Sequence, residues 1–562
     1  MAAWVVGMTA AAAAAAGATA PTVSTTCGPV AGTTAAGGGV HAYRGIPYAA
    51  PPTGDNRFAP TVPQTKGGAG CWSGTLNATT EPPMCYQSNA LDPSAKPTGS
   101  EDCLFLDVYT PNATATAGGG RGYGVFAFIH GGDLTGGSAA AYDLANFSAA
   151  QGVVAVVLQY RLGPFGFMAT AELSAEDPRK TSGNYGFLDQ QEALRWVQKN
   201  IANFGGNAAN VTVFGQSSGG TSVFALLSSP ASHGLFSSAI SLSGSPNITM
   251  DLHSAEAANA QFVSNAGCDK APGGAAGVVK CLRGLNATAV MAAQPKLWTA
   301  FPNIFGIPSD PKGLAMPPLA IVDGATVTMP VAQALSSGLV DVPLIVQSMA
   351  EEPDLLPAKI VYNMSVSQFR DWLDPHMAKF GSMFAEEALV NYISPLAVNP
   401  QKAYDQISAD IGVTCGNNVL AAAAGTGFRS NVYQGYVTQG PSKPVAAIPD
   451  GYSPRYAFHM WDLIAACGLW DFFEAYSGTA YAPSTADAAL GATIAASWKA
   501  LNAHGELPAS MNWATVSSAP GFPDSQAQGI VTSHVATVTN NKATTCRWWG
   551  THGVGKLFWW CD

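Results

Sequence analysis

Gly215-Gln216-Ser217-Ser218-Gly219 is a G-x-S-x-G pentapeptide. It lies between the apolar run Val211-Thr212-Val213-Phe214 and a helically spaced segment from Thr221 to Leu227. That strand–turn–helix setting is what such a motif needs to present a nucleophile. The tight turn forces its middle residue into a strained backbone, and the flanking glycines make room for it. Ser217 would then project its hydroxyl at the C-terminal edge of a sheet, on the positive end of the following helix. A serine hydroxyl is a weak nucleophile without a base, so acyl transfer requires a histidine and an orienting acid elsewhere in the chain. Nine histidines compete for the first role. The alternative, a surface turn of Ser and Gly, leaves the flanking strand and helix unexplained.

The elements that must position such a group are legible as apolar runs. Gly124 to Ile129 stops at His130-Gly131-Gly132, and Val153 to Leu158 is followed by Tyr160-Arg161. Ser238 to Leu242 and Val342 to Gln347 are further strand-like runs. Between them, Asp189 to Phe204 has helical spacing, with Leu188, Ala193, Trp196, Val197 and Ile201 on one side, and Ala486 to Leu501 is again helical. Strands this apolar, separated by helices, predict an α/β fold with a mostly parallel central sheet covered on both faces. Ala271 to Val278 and Gly440 to Pro454 are rich in Gly, Pro and Ala and read as surface loops; Trp298 to Lys312 reads as an irregular excursion over one end of the sheet. No stretch has a linker's composition, so residues 21–562 are expected to form one domain.

Composition narrows the partners. The chain has 562 residues, 47% hydrophobic and only 11% charged, with a net charge of −10 and no basic run. Disorder is excluded, and a nucleic-acid or anionic-membrane partner is not expected. Residues 1–20 are uncharged, Ala-rich and end in Ala18-Thr19-Ala20, which predicts a signal peptide cut near Ala20, with a membrane-anchoring first helix as the alternative. No later segment is long and apolar enough to span a membrane. N-x-[ST] sequons at Asn77, Asn112, Asn146, Asn210, Asn247, Asn286 and Asn363, together with ten cysteines, point to an oxidising secretory route and an extracellular destination. Asn210 opens an apolar run and is expected to be shielded. No C-x-x-C or H-x-x-x-H cluster suggests a metal, and no cofactor is called for.

Longer stretches carry a resemblance. Ser182-Gly183-Asn184-Tyr185-Gly186-Phe187-Leu188-Asp189-Gln190-Gln191, Asn203-Phe204-Gly205-Gly206-Asn207 and the Ser217 pentapeptide together resemble the serine-centred signature of type-B carboxylesterases, the carboxylesterase/cholinesterase family of the α/β-hydrolase fold. Glu101-Asp102-Cys103-Leu104-Phe105-Leu106 is similar to that family's second signature. The resemblance implies the order Ser, Glu, His. Pro343 to Pro353 matches the strand end that carries the family's acid and puts Glu352 in its place, with Glu351 and Asp354 as alternative registers. Gln347, Met349 and Pro353 depart from the family's Gly, Asn and Gly. His459, with Asp462, Leu463 and Gly468 after it, matches the base's motif; His504 in His504-Gly505-Glu506-Leu507-Pro508 is the rival. The separations favour His459, at 459 − 352 = 107 residues against 504 − 352 = 152.

The resemblance also implies an oxyanion hole from the backbone N–H groups of Gly132, Asp133 and Ser218, and a supporting role for Ser243. Asp133 stands where the family has Gly or Ala, and a carboxylate there opposes an oxyanion unless it is turned away or paired. Disulfides Cys85–Cys103, Cys268–Cys281 and Cys415–Cys546 follow from the same likeness, leaving Cys27, Cys71, Cys467 and Cys561 with three possible pairings. Arg44 with Glu101, and Arg161 with Asp189, are expected as structural ion pairs. The stretch between Cys85 and Cys103 lacks the Trp that cholinesterases use for a quaternary ammonium, and Gln216 replaces their carboxylate, which favours a neutral ester. Trp298, Phe301 and Phe305 are candidates for an apolar pocket. The function so implied is a secreted serine hydrolase of small-molecule or lipid esters. A lipase or sterol esterase is the nearest variant, and a catalytically silent neuroligin-like binding protein is the alternative from another class. Oligomeric state is not written in the sequence.

Overall fold

The computed structural model describes residues 20–35, 37–65, 68, 70–88, 96–112, 122–244, 248–299, 306–311, 317–355, 361–445, 452–474, 478–516, 527–539 and 542–554. Most of residues 1–20, together with Asn247, Phe301, Phe305 and Cys561, lie outside them.

Among the described residues eleven strands form one sheet: β1 (Thr33–Thr34), β2 (Val40–Pro47), β3 (Phe105–Pro111), β4 (Tyr123–Ile129), β5 (Val154–Leu158), β6 (Gly206–Gln216), β7 (Ser238–Leu242), β8 (Leu344–Met349), β9 (Val432–Val437), β10 (Ala527–Val531) and β11 (Val535–Thr539). Their spatial order is β11-β10-β9-β8-β7-β6-β4-β5-β3-β2-β1. The pairs from β10 through to β5 are parallel, and antiparallel pairs are confined to the two flanks. This is an α/β-hydrolase architecture, as expected, with β6 beginning several residues before the apolar run that revealed it.

Alternation along each central strand divides the core into two layers. Val154, Val156, Val213 and Val346 face a cluster with Leu194, Val223 and Leu420, whereas Ala155, Val157, Phe214 and Ile345 face one with Leu463, Ile494 and Trp498. Those partners come from α1 (Tyr185–Asn200), α2 (Ser218–Leu227) and α4 (Cys415–Gly427) on one face, and α5 (Trp461–Cys467) and α6 (Thr485–His504) on the other. Both layers are buried and apolar, and the central strands are apolar on both sides for that reason. A third cluster joins α3 (Pro400–Ala409) and the helices before it to the C-terminal helix Ala543–Thr551 through Phe369, Ile407 and Trp549. The start of α6 is fixed by a capping box: Ser484 accepts from Asp487 N at 3.2 Å, and the Asp487 carboxylate accepts from Ser484 N at 2.8 Å. Its end is set by Gly505 at φ +69°.

Two expectations fail. The Gly/Ala-rich stretch at 271–278 is not all loop: a helix runs Gly274–Gly284, its apolar residues Val278, Val279 and Leu282 buried in a core that outweighs the poor helix propensity of glycine. Arg44 does not pair with Glu101 but with Glu81 at 2.7 Å and Asp143 at 2.8 Å. Glu101 is held by Arg57 through two bonds of 2.7 and 2.6 Å, and the same guanidinium donates through Nη1 to the carbonyls of Leu282, Arg283 and Leu285 at the end of the Gly274–Gly284 helix. Arg161 and Asp189 do pair, bidentate at 2.8 Å and fully enclosed. Trp298 is a core residue, its Nε1 donating to Asn259 at 2.8 Å.

Disulfides join Cys85–Cys103, Cys268–Cys281 and Cys415–Cys546, and Cys27–Cys71 resolves the open pairing. Cys467 is a buried thiol. The Cys415–Cys546 bridge closes a separation of 131 residues, against 13 for Cys268–Cys281. Loop-closure entropy then gives about 5 kcal/mol for the longer loop and about 3 kcal/mol for the shorter. In denaturant titrations, Cys415→Ser/Cys546→Ser is expected to cost more stability than Cys268→Ser/Cys281→Ser. Equal losses would contradict this. Of the sequons, Asn77, Asn112, Asn146, Asn286 and Asn363 are exposed, and Asn210 is half-buried within β6. Among the described residues no helix is long and apolar enough to cross a membrane.

Candidate active site

Parallel registry gathers the chemistry at one edge. Ile129 is opposite Gly215, Leu242 is opposite both Gln216 and Gln347, and Met349 is opposite Val437, so β4, β6, β7, β8 and β9 finish side by side. The crevice beyond such carboxyl ends is where ligands bind in open α/β sheets.

Ser217 occupies the turn between β6 and α2 at φ +61°, ψ −129°, a conformation unfavourable for any residue with a side chain. Its N–H donates to Leu242 O at 2.9 Å and its carbonyl accepts from Thr221 N at 3.0 Å, so both neighbours hold the strain in place. The glycines are required by close approach. A Cβ on Gly219 would lie 2.0 Å from Ile129 O, and one on Gly215 would lie 2.2 Å from Gly219 O.

Glu352 follows β8, and His459 lies just before α5. Their side chains meet at 2.5 Å, His459 Nδ1 to Glu352 Oε2, and both are buried. The second oxygen of Glu352 accepts from Met349 N at 2.9 Å, and its carbonyl accepts from His459 N at 3.1 Å. Ser217 and His459 line one narrow cleft with Gly131, Gly132, Tyr142 and Leu355. The competing acids are placed otherwise: Glu351 and Asp354 bind the backbone of the segment leading to His459, at Ala457 and at Arg455 and Tyr456. His504 is exposed at the end of α6.

The loop after β4 carries three successive positive φ angles, at Gly132 (+116°), Asp133 (+57°) and Leu134 (+59°). Sequence reasoning missed the groups that brace it. Gln87 bonds both ways with Gly137, each at 2.8 Å; Tyr160 Oη donates to His130 O at 2.9 Å; Ser218 Oγ accepts from Leu134 N at 3.1 Å. His130 is buried against the Tyr160 ring and its pKa is pushed down to about 4, so it is neutral, with Nδ1–H donating to Gly131 O at 2.9 Å. Burial raises the pKa of the Asp133 carboxyl, an effect partly offset by the nearby His459. Ser243, at φ +48°, is engaged through its backbone, donating to Gln347 O at 2.7 Å; its hydroxyl has no hydrogen-bond partner among the described residues. Gln347, at a family glycine position, donates through Nε2 to Asp462 at 2.6 Å. Burial lifts the Asp462 pKa to about 6, and Glu352 adds to the rise.

Residues 19–518 match the carboxylesterase family. The chain belongs to that family. A human protein named cocaine esterase is 42% identical over 270 residues, 46% of this chain and 45% of its own length. The para-nitrobenzyl esterase of Bacillus subtilis (strain 168) is 38% identical over 320 residues, 55% of this chain and 60% of its own. The chain thus spans about half the length of the curated relatives it matches. A solved PNB esterase structure superposes with a TM-score of 0.72 at 28% identity, covering 94% of this carboxylesterase-family chain and 99% of its own.

Proposed function

We propose that this protein hydrolyses neutral carboxylic esters through an acyl-enzyme formed on Ser217, with His459 as general base and Glu352 as its orienting acid. The observation that carries this reading is the buried contact of 2.5 Å between His459 and Glu352, on the wall of the cleft that also holds Ser217. An imidazole whose Nδ1–H is committed to a carboxylate keeps Nε2 as the basic nitrogen. Ser217 Oγ attacks the ester carbonyl as its proton passes to His459; the imidazolium returns that proton to the departing alcohol. Water, deprotonated by the same histidine, then cleaves the acyl-enzyme to the acid and restores Ser217.

Backbone N–H groups of Gly132, Asp133 and Ser218 are the oxyanion donors in this reading, Ser218 at the N-terminus of α2, where the helix dipole favours negative charge. Ser243, which follows the Leu242 whose carbonyl accepts from Ser217 N, is a supporting residue in this reading. The four disulfides among the described residues fit an extracellular protein of one domain over 21–562, and the names of the relatives fit small ester substrates. Purified protein should hydrolyse p-nitrophenyl butyrate, and a fluorophosphonate probe should modify the peptide that carries Ser217. A folded sample that neither turns over nor labels, or an adduct on another residue, would refute the assignment.

One feature favours a silent scaffold: Asp133, an acid held in left-handed backbone where glycine fits best. Asp133→Gly relieves that strain and removes a negative charge from beside the developing oxyanion. For a neutral ester we expect kcat/KM to rise by roughly 10-fold. The carboxyl ionises as pH rises, so the gain should grow from acidic to alkaline pH. A gain independent of pH would show that the charge is turned away.

A further inference from the structure

Residues 452–459, which deliver His459, are fastened by the two acids flanking Glu352. Glu351 Oε2 accepts from Ala457 N at 3.2 Å, while Glu351 N donates to Ala457 O at 3.0 Å. One oxygen of Asp354 accepts from the N–H groups of Arg455 and Tyr456, both at 2.7 Å, and the other accepts from the Tyr452 hydroxyl. On the opposite side stands α3, packed on the turn at 352–355; its Asp405 is fully buried beside the Asp354 carboxyl, and Asp405 Oδ2 has no hydrogen-bond donor among the described residues. Gln401 Nε2 donates to the remaining oxygen of Asp405 at 2.7 Å. Two carboxyl groups in contact inside a protein do not both ionise, because the repulsion is unscreened. With N–H and O–H donors already crowding Asp354, the proton belongs on Asp405.

We propose that protonated Asp405 and ionised Asp354 form a positioning pair that sets the His459 segment against the Glu352 turn. Neither touches substrate; the pair acts through the histidine, and the inference rests on the triad proposed above. The charged and titratable groups facing it are Glu351 on the same turn, Lys402 and Tyr404 on α3, and Tyr452 and Arg455 on the clamped segment, with the Tyr362 ring against Tyr452. Burial raises both carboxyl pKa values. Groups raised in this way bind their proton more tightly in the folded state, so their support is present at lower pH and is lost as pH rises. Loss of the shared proton leaves two facing negative charges, and the clamp opens at alkaline pH.

The test compares Asp405→Leu with Asp405→Asn. Leucine removes the donor and should lower kcat for p-nitrophenyl butyrate by about 10- to 100-fold with KM little changed, the scale of a small misplacement of a catalytic group. Asparagine donates through its amide without titrating. It should recover most of that loss and abolish the alkaline fall in kcat expected of the wild type. The low-field proton resonance of the His459–Glu352 bond should weaken in Asp405→Leu and persist in Asp405→Asn. Full kcat and an intact resonance in folded Asp405→Leu would overturn the proposal. So would an unchanged alkaline limb in Asp405→Asn, which decides the matter alone should the leucine variant not fold. Fluorophosphonate labelling of wild type separates the two levels: an unlabelled wild type removes the triad, whereas labelled wild type with indifferent Asp405 variants removes only the pair.

Discussion

Ser217→Gly should abolish ester hydrolysis and at the same time make the protein more stable. The loss comes from deleting the only atom proposed to bond with the acyl carbon. Removing the nucleophile of a serine hydrolase costs on the order of 10⁴- to 10⁶-fold in kcat, the remainder being the binding and oxyanion terms that survive it. The gain comes from the backbone: φ +61°, ψ −129° is open to glycine, and residues held in such regions cost about 1–3 kcal/mol. Ser217→Ala should be equally inactive but without the gain, since its Cβ keeps the strain. Steady-state assay and thermal unfolding of the three proteins read both effects. A glycine variant no more stable than the alanine variant would mean that the turn is not under load.

Glu352→Gln should lower kcat by roughly 10³- to 10⁴-fold, because the amide can donate to Nδ1 and so favour the imidazole tautomer with its proton on the wrong nitrogen. Glu351→Gln, one residue away, keeps an acceptor for Ala457 and should lose no more than about 10-fold, a backbone-positioning effect. KM should change little in either. Comparable losses would mean that the acid is not selected by its contact with His459. The contrast matters because the two residues are adjacent, equally buried and chemically alike; only the direction in which each side chain leaves the turn distinguishes them.

That direction is also where the sequence falls silent. Runs such as Val154–Leu158 announce their strands because both faces are buried, and the pentapeptide around Ser217 announces its turn because two close backbone approaches admit nothing but glycine. Glu351, Glu352 and Asp354 are another matter: all three are buried and hydrogen-bonded, so composition cannot tell the one that reaches His459 from the two that hold Ala457, Arg455 and Tyr456. Arg44 misled for a related reason, since an exposed-looking arginine near a signature acid has several partners within reach and Arg57 was the better placed. Gln87 carries no signal in the sequence, and Gln347 stands out only as a departure from the family's glycine. Neutral amides carry no charge pattern, and their value lies wholly in contacts with Gly137 and Asp462 that are distant in the chain.

The bridge between Cys415 and Cys546 encloses the segment that delivers His459. A protease that severs one peptide bond anywhere inside that span therefore produces two fragments that stay covalently joined, and the imidazole departs with neither. Only when the thiols are reduced as well can the severed halves drift apart, so proteolytic damage to this region is silent until the redox environment changes.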